Sequence, residues 1–310
     1  MNNFLIGLAV FIITLVAALF AMPYAIDWNG YRGLFEEEAT RMLGREVRVT
    51  GAVNVHLLPT PYVSLERVRI ANTIEALQEP LFRSESLTIK LAVPPMLRGT
   101  LEANEIELRR PAFHLAVDDK GVWNWQAIAT AFKDAAYLPS NVVLTSVVVK
   151  DGLVALHGAD GQERVRYEDV QAELSASALD GPYRVRATFG AKGAQRELRL
   201  ATSKPESDGA IRLKATLRAN DTSSQYALDA RIANLMSKVS LDGELTAKLP
   251  VAGLWPSETR TPTAEAFDLK AEIKADAEAL QLGNLSLAFE QDGTPQIITG
   301  EISAAWARAL

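Results

Sequence analysis

The sequence contains no cysteine. Disulfide staples, cysteine–zinc sites and thiol nucleophiles are therefore excluded together, and stability must come from hydrogen-bonded backbone and apolar burial. Histidine is almost as scarce: His56, His114 and His157 are the only three. They are far apart, and none has an H-x-H or H-x-x-x-H neighbour, so no metal-ligating spacing exists. Each falls among alternating residues and reads as a polar outer-face position. Positive charge is not in excess either. The net charge is −6 and the pI near 5.3, which gives no reason to expect a nucleic-acid partner. There is no G-x-S-x-G, no Walker loop and no G-x-G-x-x-G. Asp118–Asp119 before Lys120–Gly121 reads as a tight turn rather than a carboxylate pair. Glu36, Glu37 and Glu38 read as the solvated face of a helix. Nothing assembles a nucleophile, a base and an oxyanion site, so no catalytic residue, cofactor or metal is expected.

What is present begins with an uncharged run from Phe4 to Met22, FLIGLAVFIITLVAALFAM, of 19 residues. As a helix it would be about 28 Å long, close to the ~30 Å hydrocarbon core of a bilayer. A cleaved signal peptide has a shorter apolar stretch and a small-x-small cleavage site. Here no A-x-A closes the run, and Pro23, Tyr24, Ile26 and Trp28 follow at interface depth. The expectation is a retained transmembrane anchor over residues 1–26, with the N-terminus inside. Met1 to Asn3 carry no Lys or Arg to reinforce that orientation.

A short amphipathic helix comes next. Asn29 or Gly30 starts it and Gly44 ends it as a left-handed cap. Tyr31, Leu34, Phe35, Ala39, Met42 and Leu43 share one face, and Glu36, Glu37, Glu38 and Arg41 the other. Such a helix plugs the end of a sheet. Its acidic polar face argues against lying on anionic lipid.

From Glu46 the period changes from 3.6 to 2. Val47, Val49, Gly51, Val53, Val55 and Leu57 occupy one face of a strand of about a dozen residues, stopped by Pro59 and Pro61. Val63, Leu65, Val68 and Ile70 follow, with a phase slip at Glu66–Arg67 that predicts a bulge. Leu87, Ile89 and Leu91 make the next strand, which Pro94–Pro95 breaks. Trp123 and Trp125 share one face of an extended segment and read as core at a sheet corner. A short helix is expected from Gln126 to about Ala136. Asp151–Gly152 reads as a hairpin turn. Alternation then continues to Ala304, interrupted by the proline-bearing loop Pro250–Ala264, a possible sub-domain boundary.

Some fifteen strands in hairpin order, with no βαβ rhythm, predict a mainly β, antiparallel fold. A sandwich, a barrel or a long sheet curled into a trough all fit that pattern. The expected organisation is an anchor over 1–26, a first β segment with its capping helix over 27–140, and a continuing β segment over 141–310.

Several stretches resemble the AsmA family of Gram-negative envelope proteins. They are Asp27-Trp28-Asn29, Leu43-Gly44-Arg45-Glu46-Val47 leading into the first strand, Pro80-Leu81-Phe82, SESLTIKLAVPPMLRG, IELRRPAFHLAVDDKGVWNW and Ala178-Leu179-Asp180-Gly181-Pro182-Tyr183. The resemblance implies a single-pass inner-membrane protein with a periplasmic body and no enzymatic activity. It implies an antiparallel sheet curled into an apolar groove that holds or transfers phospholipid, and a link to outer-membrane biogenesis and its assembly factors. Family members are usually longer. The alternative is a closed sandwich or barrel-like body acting as an interaction scaffold. Groove candidates are Val47, Val49, Val53, Val55, Leu57, Leu87, Ile89 and Leu91; Tyr31, Leu34, Phe35 and Met42 would form the capping helix. If lipid enters, the junction Asp27–Gly44 is the expected place.

Overall fold

The structure is a computed structural model. It describes residues 26–56, 60–74, 77–96, 103–118, 122–126, 128, 144–176, 181–191, 194–220, 224–234, 239–250, 266–276, 279–291 and 294–305, with isolated positions between 6 and 14. Within Phe4–Met22, Ile6, Gly7, Val10, Phe11, Ile13 and Thr14 are described, as helix; the remainder of the expected anchor lies outside the described residues. Among the described residues no helix is long and apolar enough to cross a membrane. Leu57, residues 129–143 and residues 251–265 are also outside.

A 3-10 turn, Trp28–Tyr31, leads into helix α1, Arg32–Leu43. The Asp27 carboxylate accepts the Asn29 N–H and caps the turn. Gly44, at φ 61°, ends the helix in the left-handed region as expected. Val93–Met96 makes one further helical turn.

The other described elements are strands. The order is β1 Val47–Val49, β2 Val53–His56, β3 Tyr62–Ile70, β4 Phe82–Leu91, β5 Ala103–Arg109, β6 Ala112–Ala116, β7 Leu144–His157 and β8 Glu163–Ala176. It continues with β9 Tyr183–Ala191, β10 Ala194–Thr202, β11 Ile211–Ala219, β12 Ser224–Ala233, β13 Ser240–Pro250, β14 Ala266–Ala275, β15 Ala279–Gln291 and β16 Thr294–Ala305. All sixteen lie in one sheet, in the order β1-β3-β4-β5-β7 and then β8 through β16 in sequence. β2 continues β1 beside β3, and β6 continues β5 beside β4 and β7.

From β7 onward every neighbour is antiparallel, most strands returning through a short loop and β13 to β14 through the longer stretch 251–265. One joint corrects the expected hairpin order. β5 and β6 both pair with β7 in parallel, Ile106 beside Val147 and Phe113 beside Val154. A parallel pair needs a long crossover, and the stretch from Val117 to Val143 supplies it.

Two strand assignments also change. The single long first strand is two, because residues 50–52 oppose only Glu66 and Arg67; the bulge expected at Glu66–Arg67 is there, with Arg67 at φ 50°. Asp151–Gly152 is no hairpin but lies inside the 14-residue β7, with Asp151 at φ 54°. Arg110 (φ 44°) separates β5 from β6, and Asp169 (φ 51°) lies within β8. These irregularities, in β3, between β5 and β6, and in β7 and β8, line up as one crease across the first part of the sheet. Bulges of this kind bend strands and raise local twist.

Candidate functional site

The two faces of the sheet differ completely. Register places Val53, Leu65, Leu87, Leu108, Val149, Ala172, Ala187, Leu198, Leu217, Tyr226, Ala247, Leu269, Leu287 and Ile298 in one row, each beside the next. A second row joins Val55, Val63, Ile89, Ile106, Val147, Leu174, Val185, Leu200, Ala215, Leu228, Leu245 and Ala271 by the same pairings. At ~4.8 Å per strand the first row is about 60 Å long. The opposite face carries cross-strand ion pairs, among them Lys90–Glu105, Lys150–Glu107, Lys214–Asp229 and Lys270–Glu244. Most of their side chains are well exposed, so each stabilises little.

Burial along the apolar rows is uneven. At the β1 end, Val47, Val49, Val53, Val68 and Phe82 are fully buried, under Trp28, Phe35, Ala39 and Leu43 of the helical segment. Past this plug the fully buried apolar residues on this face are alanines and Phe267. Apart from Val165, which is 38% exposed, the described leucines and valines of β7 to β15 are only half-buried. A sheet packed against a second layer would bury those leucines completely.

The groove candidates therefore divide. Val47, Val49 and Val53 are covered by α1 and closed off. Val55 and Ile89 are half-buried in the second row, Leu87 is half-buried against the plugged cluster, Leu91 is half-buried beside Ala103 outside both rows, and Leu57 is outside the described residues. The capping residues divide too. Phe35 packs on the core cluster. Met42 is half-buried. Tyr31 (51% exposed) and Leu34 (56%) instead face outward. The buried stripe of α1 therefore lies about one position round from the face that the periodicity predicts.

The helix plugs the sheet end as expected, and it does so through polar atoms that periodicity does not flag. The edge N–H of Val49 donates to Glu36 Oε1 at 2.7 Å, that of Val47 to Thr40 Oγ1 at 3.0 Å, and that of Val53 to Asn29 Oδ1 at 3.1 Å. Exposed edge strands recruit other strands; here three donors are taken up within the chain. Glu36 is accordingly not part of a solvated acidic face, its side chain being 17% exposed.

The histidines need a second correction. His114 (4% exposed) and His157 (6%) are buried, not outer-face, with His114 Nδ1 3.2 Å from His157 Nε2. The parallel β6–β7 register sets His157 beside Ala116 and His114 beside Ala155. Residues 43 apart meet, which no local motif announces. His56 instead stacks on Tyr62, ring centroids 4.5 Å apart. Trp123 and Trp125 do not share a core face. Between them Asn124 is buried, donating to the His114 carbonyl, while Trp125 is 39% exposed.

Burial first, and the neighbouring His157 second, push the His114 pKa below the usual histidine range; Arg83 and Arg166 add to this and Glu79 opposes it. A lowered folded value means that the unfolded chain binds the proton more readily. The stabilisation is complete above about pH 6.5 and is lost as pH falls below it. Thermal unfolding measured from pH 7.5 to 5 should show a falling midpoint. His114→Asn with His157→Asn should flatten that slope; an unchanged slope would assign the acid sensitivity elsewhere.

Among the described residues no three His, Cys, Asp or Glu side chains converge as a metal site. Two depressions are lined largely by residues of the charged face. One, of about 440 Å³, is lined by Arg199, Thr216, Thr246, Lys270 and Ser286 among others. Another, of about 590 Å³, lies over the crease.

The chain has counterparts among known proteins. Over 122 residues the chain is 23% identical to Protein AsmA of Escherichia coli strain K12. That stretch is 39% of this chain and 19% of the relative, so the chain matches about a fifth of that protein's length. The AsmA family profile matches residues 3–254. With most of its length matched, from the N-terminal run through β13, the chain belongs to the AsmA family.

Proposed function

We propose that this chain is an envelope protein held at the inner membrane by Phe4–Met22, with its sheet in the periplasm, and that the apolar rows carry phospholipid acyl chains in support of the outer membrane. The observation that carries this reading is the half-burial of large aliphatic side chains along rows that cross the sheet from β3 to β15 without a charge. Each acyl CH₂ removed from water on such a surface is worth ~0.8 kcal/mol. Over much of the charged face the cations and anions already pair with one another, as Lys214 does with Asp229 and Lys270 with Glu244.

The entry point shifts from the junction Asp27–Gly44 to the strip beyond the plug. With Val47, Val49 and Val53 covered by α1, lipid reaches the rows past that cluster, near Val55, Ile89 and Leu91. Photo-crosslinkers at Ile89, Leu200 and Leu228 in detergent-extracted full chain should capture phospholipid, and one at Val49 should capture none. Native mass spectrometry of the same preparation should show bound phospholipid. Capture at no strip position, with no co-purifying lipid, would end the lipid reading.

The second reading is a scaffold that contacts outer-membrane assembly factors. One feature favours it. β16 carries exposed isoleucines, with Ile297 67%, Ile298 54% and Ile302 52% exposed, and exposed apolar side chains mark contact surfaces.

A further inference from the structure

On the charged face the crease holds a feature that the lipid strip does not use. Arg48 of β1 lies directly opposite Arg69 of β3, and Arg69 directly opposite Arg83 of β4. Directly paired residues on antiparallel strands have Cα atoms about 4.5–5.5 Å apart, and like charges so placed are destabilising. Arg48 is relieved by Glu46 at 2.7 Å and Glu36 at 3.6 Å. Arg69 and Arg83 have no ion pair among the described residues, and both are exposed.

The depression of about 590 Å³ over the crease is lined by Arg67, Arg69, Arg83 and Arg110, with Glu85 and Asp151 the acids in its wall. Those acids are occupied. Glu85 is bound by Arg110, which holds its carboxyl below the usual range, and Asp151 accepts from Gln171 Nε2 at 2.7 Å. Arg67 is spent on the Thr50 carbonyl at 2.8 Å. What remains is a concave site with two uncommitted guanidinium groups side by side on neighbouring strands. Guanidinium forks match a tetrahedral oxyanion in geometry, and one such anion bridging two arginines removes their mutual repulsion.

We propose that this crease site binds a phosphate group, with Arg69 and Arg83 as its two ligands. Its chemistry is that of a phosphate monoester or diester, borne by a free small molecule or by a lipid headgroup. It lies on the face opposite the acyl strip and does not depend on the lipid-carrying reading.

The test uses full-length protein in phosphatidylcholine nanodiscs and calorimetric titration with three probes. These are inorganic phosphate, glycerol phosphate and dihexanoyl phosphatidylglycerol below its micellar concentration. Arg69→Gln with Arg83→Gln should weaken binding by roughly ten- to a hundredfold, the loss of two charge-assisted contacts. Arg184→Gln with Arg218→Gln, on the same face but away from the crease, should leave it unchanged. Binding of the two soluble phosphates alone assigns a free phosphate compound; binding of the phosphatidylglycerol alone assigns a headgroup. Either result supports the site provided the Arg69/Arg83 pair is required. No binding of any probe, or equal weakening in both double variants, overturns it. Lipid crosslinking at Leu200 should be the same in both variants, so failure here is separable from failure of the acyl strip.

Discussion

Gly51→Ala is expected to destabilise the protein by about 3 kcal/mol, at the upper end for an overpacked core. A Cβ built on Gly51 would lie 2.3 Å from Glu66 Cβ, 2.6 Å from its carbonyl oxygen and 2.7 Å from its carbonyl carbon. Two of the three contacts are backbone, so no side-chain rotation relieves them. The Gly51 N–H donates to that same Glu66 carbonyl at 2.9 Å, and the Glu66 N–H returns to Ala52 at 3.0 Å. Moving β3 away breaks this pair of bonds and opens the cluster of Val49, Val53 and Val68 on either side. Against a total stability of roughly 5–15 kcal/mol, such a loss is large. Gly33→Ala is the control. Gly33 lies in α1 with nothing within 4 Å of an added Cβ, so the change should be neutral or slightly stabilising. Urea unfolding followed by circular dichroism measures both. A Gly51→Ala midpoint equal to wild type would mean that the bulge can open without cost.

Gly51 also shows where the sequence is legible and where it is not. Its place among Val47, Val49, Val53 and Val55 follows from period-2 alternation, and that pattern identifies the apolar face of nearly every strand. Alternation reports which face a residue takes, because side chains point to opposite sides by turns. It does not report how far a strand runs before bending. The crease depends on positive φ at Arg67, Arg110, Asp151 and Asp169, and none of these is a glycine that would announce it. Only Glu66–Arg67 betrayed itself, through the slip between Leu65 and Val68. Nor does alternation report long-range partners. The meeting of His114 and His157 follows from the parallel β6–β7 register, and local spacing carries no trace of a pairing across the crossover. Glu36 was hidden for a related reason. A carboxylate beside two others on a helix looks solvated until the strand edge it caps is in place. Whether the apolar face is open or packed is likewise silent in the sequence, since leucines alternate identically in a trough and in a sandwich. Burial decides it, and only in three dimensions.

The largest functional effect is expected from charges set into the open rows. Leu200 and Leu228 lie two strands apart in one row, with Ala215 between them, and both are half-buried. Leu200→Asp with Leu228→Asp would set two carboxylates roughly 10 Å apart across the path of an acyl chain. An unpaired charge against hydrocarbon costs several kcal/mol, so the strip should be interrupted there. Phospholipid co-purifying per protein molecule should fall by roughly fivefold or more. Thr216→Asp is the matching control, since Thr216 neighbours Ala215 but faces the charged side, where solvent accepts another carboxylate. The unfolding midpoint of the double variant carries the second half of the argument. In an open strip these positions already meet water, so the midpoint should shift little while lipid is lost. In a closed core the same two carboxylates would have no water and no partner, and the protein would unfold before any lipid could be counted. Lipid loss without unfolding is therefore the outcome that only a trough produces.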